Sequence, residues 1–179
     1  MFKKLFSMFT GTETTKANNE QGTNNGAVEE MAKVIIATQT GEAVSITEVP
    51  DPVFSEKMMG DGFAIIPTEN KVCSPVSGEV VSVTKSLHAY GIRTEEGLEV
   101  LVHVGLDTVA LNGEGFKSSI NQGDKVKVGD VLVEADLDFI KEKGYNTITP
   151  VVLTNLEVGQ TIHTKLGPVV AGESVVVTY

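Results

Sequence analysis

Two imidazoles are the side chains of this sequence best suited to chemistry. His103 closes the apolar run Leu98-Glu99-Val100-Leu101-Val102-His103-Val104-Gly105-Leu106-Asp107-Thr108-Val109, where core packing has no use for an imidazole. His88 lies 15 residues earlier beside a turn, and two runs joined through Glu95-Glu96-Gly97 can bring both rings to one surface. A neutral imidazole, with an unperturbed pKa of about 6.5, is a competent nucleophile and metal ligand near neutral pH. Two of them on one patch point to phosphoryl transfer or to metal binding.

Phosphoryl transfer needs an in-line nucleophile and hydrogen-bond donors around the equatorial oxygens, and asks little other covalent chemistry of the protein. His103 is the candidate nucleophile and His88 a candidate donor. Ser86 carries a hydroxyl two residues before His88 that could hold an imidazole in one tautomer. Gly105 would let backbone N–H groups approach phosphoryl oxygens without side-chain obstruction.

The elements that must position these residues read as short strands. From Lys33 onward, β-rich runs alternate with Gly, Pro, Asn or Asp: Val34 to Ala37, Ala43 to Val49, Phe63 to Ile66, Val80 to Thr84, Leu98 to Val104, Val131 to Ala135, Val151 to Thr154 and Val175 to Tyr179. Many short strands at close spacing predict an all-β fold, an antiparallel sandwich or barrel with short helical turns. The clearest helical turn is Asp138 to Lys143, stopped by Gly144. Period-two alternation puts Leu101 and His103 on one face of their strand, with Val100, Val102 and Val104 on the other. If the valines fill the core, His103 emerges from an apolar surface suited to docking another protein. Gly41-Glu42-Ala43-Val44-Ser45-Ile46-Thr47 returns as Gly78-Glu79-Val80-Val81-Ser82-Val83-Thr84, which predicts two similar turn-and-strand units facing each other across the core.

The remaining sequence bounds the function. Residues 33–179 are long enough to bury roughly two-thirds of their unfolded surface, so one domain is expected there. Residues 1–32 divide into an amphipathic start, with Phe2, Leu5, Phe6 and Phe9 at helical spacing beside Lys3 and Lys4, and a flexible Thr-, Asn- and Gly-rich tether. Such a start could lie on an anionic membrane surface. A formal charge of −10, from 24 acidic against 14 basic residues, argues against nucleic acid as a partner. Cys73 is the single cysteine and reads as a buried strand residue, which fits a reducing cytoplasm. No stretch approaches the roughly 18 apolar residues of a membrane span, and the N-terminus lacks a signal peptide's apolar core.

The run from Gly97 to Val109 resembles the active-site signature of the glucose-type enzyme IIA of the bacterial phosphoenolpyruvate-dependent sugar phosphotransferase system. The resemblance continues through Val49 to Gly62, Ser74-Pro75-Val76-Ser77-Gly78, His88-Ala89, Gly113-Glu114-Gly115-Phe116, Val126 to Asp130 and Thr149-Pro150-Val151-Val152, covering essentially all of residues 33–179. It implies that His103 receives a phosphoryl group from the phosphocarrier protein HPr and passes it to a cysteine of a sugar-specific enzyme IIB. His88 would stabilise that group without carrying it. It also implies an apolar docking face of Val53, Phe54, Met58, Met59 and Leu106, with Asp51 and Asp107 at its rim to meet arginines of partners. Ser86 stands where relatives carry threonine, keeping the hydroxyl. No cofactor is required by the resemblance, although zinc could bridge His88 and His103 with a partner's carboxylate.

Other readings compete. A zinc-dependent hydrolase using His88, His103 and a carboxylate such as Asp107 would need three protein ligands and an open position, and no His-x-His or His-Glu-x-x-His pattern is present. Gly123 to Leu132 looks like half of a lipoyl or biotinyl carrier, yet shows no convincing lysine at a hairpin tip. His163 lacks any chemical context and reads as a surface residue.

Overall fold

The computed structural model describes residues 33–179. The amphipathic start and tether predicted over residues 1–32 lie outside them. The described strands are β1 (Val34–Ile36), β2 (Gly41–Ser45), β3 (Asp61–Pro67), β4 (Lys71–Cys73), β5 (Gly78–Val83), β6 (Ala89–Arg93), β7 (Glu99–His103), β8 (Phe116–Lys117), β9 (Lys125–Val126), β10 (Val131–Ala135), β11 (Thr149–Leu153), β12 (His163–Thr164), β13 (Gly167–Val169) and β14 (Val175–Thr178). Two short helices interrupt them, α1 (Pro52–Ser55) and α2 (Leu137–Glu142).

An eight-stranded sheet in the order β13-β2-β3-β11-β7-β6-β5-β9 carries the functional residues, and two three-stranded sheets, β1-β14-β12 and β4-β10-β8, accompany it. Every pairing among the described strands is antiparallel, as the all-β expectation required. The two heptads of the internal repeat form β2 and β5, each second from an edge of this one sheet. Both open on a glycine whose added Cβ would strike a carbonyl of the neighbouring strand, that of Ile66 for Gly41 and of Arg93 for Gly78. The repeat therefore encodes the same close strand-to-strand approach at each end of the sheet.

Alternation along the central strands separates two clusters. Phe63 and Ile65 of β3, Val100 and Val102 of β7, and Val151 and Leu153 of β11 join the larger core. Ala64 and Val152 point to the opposite face, where they meet Ile46, Val49, Phe54, Leu106 and Ile148, with Leu101 packed alongside. Full burial of a side chain such as Phe63 contributes about 2–3 kcal/mol, so the alternation fixes which face each neighbour occupies. His103 thus comes out on the face of the smaller cluster, as Leu101 does.

The predicted strand Ala43 to Val49 stops early. Ser45-Ile46-Thr47-Glu48 forms a capping box, with the Ser45 hydroxyl accepting from Thr47 N–H and the Glu48 carboxylate accepting from Ser45 N–H, and Ile46–Glu48 winds into a short 3₁₀ turn. Helix α1 follows at once because Asp51 caps it, its carboxylate accepting from Val53 N–H at 2.9 Å, with Pro52 at the first helical position. The predicted turn at Asp138 to Lys143 is α2, capped by Asp136. Cys73 is buried at the end of β4, where burial pushes its thiol pKa up. His163 is exposed on β12.

Candidate functional site

The sheet's pairing ends where chemistry begins. Strands β7 and β11 pair from Val100 with Leu153 to Val102 with Val151. One step further the register would set His103 beside Pro150, which has no N–H to give. On the other side His103 pairs with Ala89 of β6, and Val104 N–H donates to the His88 carbonyl at 2.7 Å. The two histidines are therefore fixed by adjacent strands, as the short link through Glu95-Glu96-Gly97 predicted. Their rings meet edge to face, with centroids 5.0 Å apart at 77°.

Each ring is held through Nδ1. His103 Nδ1 lies 2.8 Å from the Gly105 carbonyl oxygen. A carbonyl only accepts, so Nδ1 carries the proton and Nε2 keeps its lone pair. Gly105 contacts His103 through its carbonyl, a role beyond the approach of N–H groups to a phosphoryl group that its sequence context suggested. Its φ of +74° and the closeness of Thr108 Cγ2 and Asn146 O to any added Cβ require glycine at this position. His88 Nδ1 lies 2.7 Å from Ser86 Oγ and 3.1 Å from Thr84 Oγ1. Thr84 went unnoticed in the sequence because its approach depends on the turn rather than on strand periodicity.

Burial sets the charge state. His88 is 7% exposed, and desolvation, with the nearby His103, lowers its pKa to about 4. His103 is half-buried, and desolvation lowers its pKa too, against the opposing pull of the Gly105 carbonyl and the Asp51 and Asp107 carboxylates. Both imidazoles are neutral at physiological pH. Asp51 sits at the head of α1 and Asp107, with φ +57°, at the head of the 3₁₀ turn Thr108–Leu111.

Apolar side chains are exposed on α1 and the turn after it. Val53 is 39% exposed, Met58 70% and Met59 41%. Phe54 and Leu106, expected on the same face, are buried at 4% and 6%, and Phe54 instead backs His103 with ring centroids 5.2 Å apart. They support the site from beneath, because the smaller cluster lies directly under it. Val109, 55% exposed beside Asp107, is an apolar surface residue that sequence reasoning did not single out.

The described residues contain no group of three or more His, Cys, Asp and Glu side chains placed to hold a metal ion. The third ligand that the hydrolase reading needs is not assembled there. Nor is any helix of the described residues long and apolar enough to cross a membrane.

Fold and site together define an antiparallel all-β domain presenting two neutral, closely packed imidazoles where paired strands end. Comparison with known proteins places it further. The family model of the phosphoenolpyruvate-dependent sugar phosphotransferase system, EIIA 1, matches residues 33–158. A protein of Halalkalibacterium halodurans called PTS system glucose-specific EIIA component is 48% identical over 157 residues, covering 88% of this chain and 84% of its own. One of the same name from Bacillus cereus is 46% identical over 167 residues, covering 93% and 90%. The solved structure of glucose permease IIA from Mycoplasma capricolum superposes with a TM-score of 0.78 at 40% identity, over 82% of this chain and 95% of that one. The chain belongs to the EIIA type 1 family of the phosphoenolpyruvate-dependent sugar phosphotransferase system. Members of that family are phosphotransferase components.

Proposed function

We propose that His103 is the phosphoryl carrier of this chain, accepting from phospho-HPr and donating to the cysteine of a sugar-specific enzyme IIB in glucose-type uptake. The observation that carries this reading is the bond of His103 Nδ1–H to the Gly105 carbonyl, which leaves the Nε2 lone pair free for attack. In the accepting step that lone pair forms an N–P bond while the donor's own N–P bond breaks, and the departing imidazole takes up a proton. In the onward step a cysteine thiolate attacks the phosphorus and His103 recovers its lone pair. His88, neutral and with its Nδ1 occupied by hydroxyls, offers Nε2–H to an oxygen of the bound group. A phosphoryl group on His103 brings negative charge next to His88 and raises the pKa that burial has depressed, which strengthens that contact.

Residues 33–179 are the working domain in this proposal, and residues 1–32 its tether. Residues 1–9, with their apolar stripe, are the segment by which the chain would reach an anionic membrane surface. Val53, Met58 and Met59 are the contact surface for both partners, with Asp51 and Asp107 orienting them.

Incubation with phosphoenolpyruvate, enzyme I and HPr, followed by intact-mass measurement, tests the assignment. One added phosphate, stable to alkali and labile to acid, is expected, and none in His103→Gln. His88→Gln is expected to accept phosphate from HPr and to fail in passing it on. A His88→Gln chain that cannot be phosphorylated at all contradicts the role given to His88.

A further inference from the structure

The turn between β5 and β6 does not need the Thr84 hydroxyl to close. Thr84 N–H already donates to the Ala89 carbonyl at 3.1 Å, and Leu87 N–H to the Thr84 carbonyl at 2.9 Å. Leu87 holds φ +56°, a conformation that L residues rarely adopt, and it is the residue between Ser86 and His88. That kink brings two hydroxyls to the same ring nitrogen: Ser86 Oγ at 2.7 Å and Thr84 Oγ1 at 3.1 Å from His88 Nδ1.

Counting protons assigns the directions. Thr84 Oγ1 accepts from the Ala89 N–H at 3.1 Å and has one proton to give. Its two outlets are His88 Nδ1 at 3.1 Å and the Ala89 carbonyl at 3.4 Å. The carbonyl is the longer contact and already holds the Thr84 N–H. A hydroxyl that accepts a hydrogen bond also becomes a better donor. The favoured chain therefore runs from Ala89 N–H through Thr84 Oγ1 to His88 Nδ1. With a proton on Nδ1 instead, that proton would go to Ser86 Oγ or Thr84 Oγ1, and Thr84 would be left only the longer, occupied carbonyl for its own proton. Ser86 and His88 are 8% and 7% exposed, so water competes poorly for these contacts.

The geometry points to Thr84 as a positioning residue that acts together with Ser86: the two hydroxyls converge on His88 Nδ1 and lock the ring in its Nε2–H tautomer. The opposite tautomer would turn a lone pair, in place of a donor, toward the oxygens of a phosphoryl group on His103. The catalytic consequence rests on the phosphocarrier reading above, whereas the tautomer does not.

Long-range proton–nitrogen spectra of the ¹⁵N-labelled full chain at neutral pH report the tautomer of His88 directly. The wild type is expected to show Nε2–H. Thr84→Val, which keeps the β-branched shape, is expected to move a measurable fraction of His88 to Nδ1–H. It should also slow onward phosphoryl donation about fivefold, the weight of a single hydrogen bond, while acceptance from HPr stays near the wild-type rate. Thr84→Ser is expected to restore both. An Nδ1–H tautomer in the wild type overturns the proposal without recourse to any variant. So does a Thr84→Val chain with unchanged tautomer and unchanged donation, or a folded Thr84→Ser chain that restores neither. If the wild type takes no phosphate on His103, the carrier reading fails, and the spectra still decide the role of Thr84.

Discussion

At the scale of single residues the site works by denying charge. Two imidazoles with centroids 5.0 Å apart would repel each other if both were protonated, and burial depresses both pKa values so that neither is. In the proposed mechanism, neutrality leaves the Nε2 lone pair of His103 free to attack, and the tautomer proposed for His88 gives it an Nε2–H to donate. It also ties stability to pH. The unfolded chain protonates these rings at about pH 6.5, and the folded His88 only near pH 4. The unfolded state therefore binds more protons between those limits, and stability that is complete above about pH 6.5 is lost as the pH falls. For His88 the loss is at most about 3 kcal/mol. Denaturant titrations of the wild type and His88→Gln near pH 7 and again near pH 4.5 measure it. The variant should lose less stability on acidification, and equal losses in the two chains would rule out a depressed His88 pKa. Much of this was legible in the sequence: His103 stood out because an imidazole ended an apolar run, and Ser86 because a hydroxyl lay two residues from His88. Thr84 did not, since only the left-handed Leu87 folds it back onto the ring.

At the scale of elements, each functional side chain sits where regular structure stops. His103 ends β7 where Pro150 withholds an N–H, and His88 follows the turn after β5. Non-glycine residues with positive φ stand at Lys57, Leu87, Asp107 and Asn112, the first three each next to a residue of the site or within it. Such conformations cost of order 1 kcal/mol or more each and persist where surrounding structure enforces them. Gly105 is a constrained link within the site. Gly105→Ala is expected to destabilise the fold by about 1–3 kcal/mol, because a Cβ there meets Thr108 and the Asn146 carbonyl at φ +74°. The same strain would displace the carbonyl that orients His103 and so slow phosphoryl acceptance. Thermal unfolding combined with an acceptance assay checks both effects, and a stable, fully active variant would contradict the account. The capping box Ser45-Ile46-Thr47-Glu48 and the Asp51-Pro52 pair were readable helix-start signals that strand alternation through Ala43 to Val49 obscured. The two-residue strands β8, β9 and β12 are shorter than any period can reveal.

For the molecule as a whole, the sheet order sets where the proposed working surface lies. Strand β7 lies near the centre of the eight-stranded sheet, so His103 rides on well-buried structure, while the exposed Val53, Met58 and Met59 proposed to face a partner lie on α1 and the turn after it. The sequence predicted antiparallel strands, but not this order, because pairings such as β3 with β11 join segments far apart in the chain. Exposed Met58 has little to lose on mutation except the partner contacts proposed for it. Met58→Asp should leave the unfolding temperature almost unchanged and raise the KM for phospho-HPr, and an unaltered KM would remove this face from the docking surface. The central claim concerns one nitrogen. Nitrogen–phosphorus couplings in ¹⁵N-labelled, phosphorylated protein identify the atom that carries the group. The bond from Nδ1 to the Gly105 carbonyl predicts phosphorus on Nε2 of His103, and phosphorus on Nδ1, or on any other residue, would contradict it.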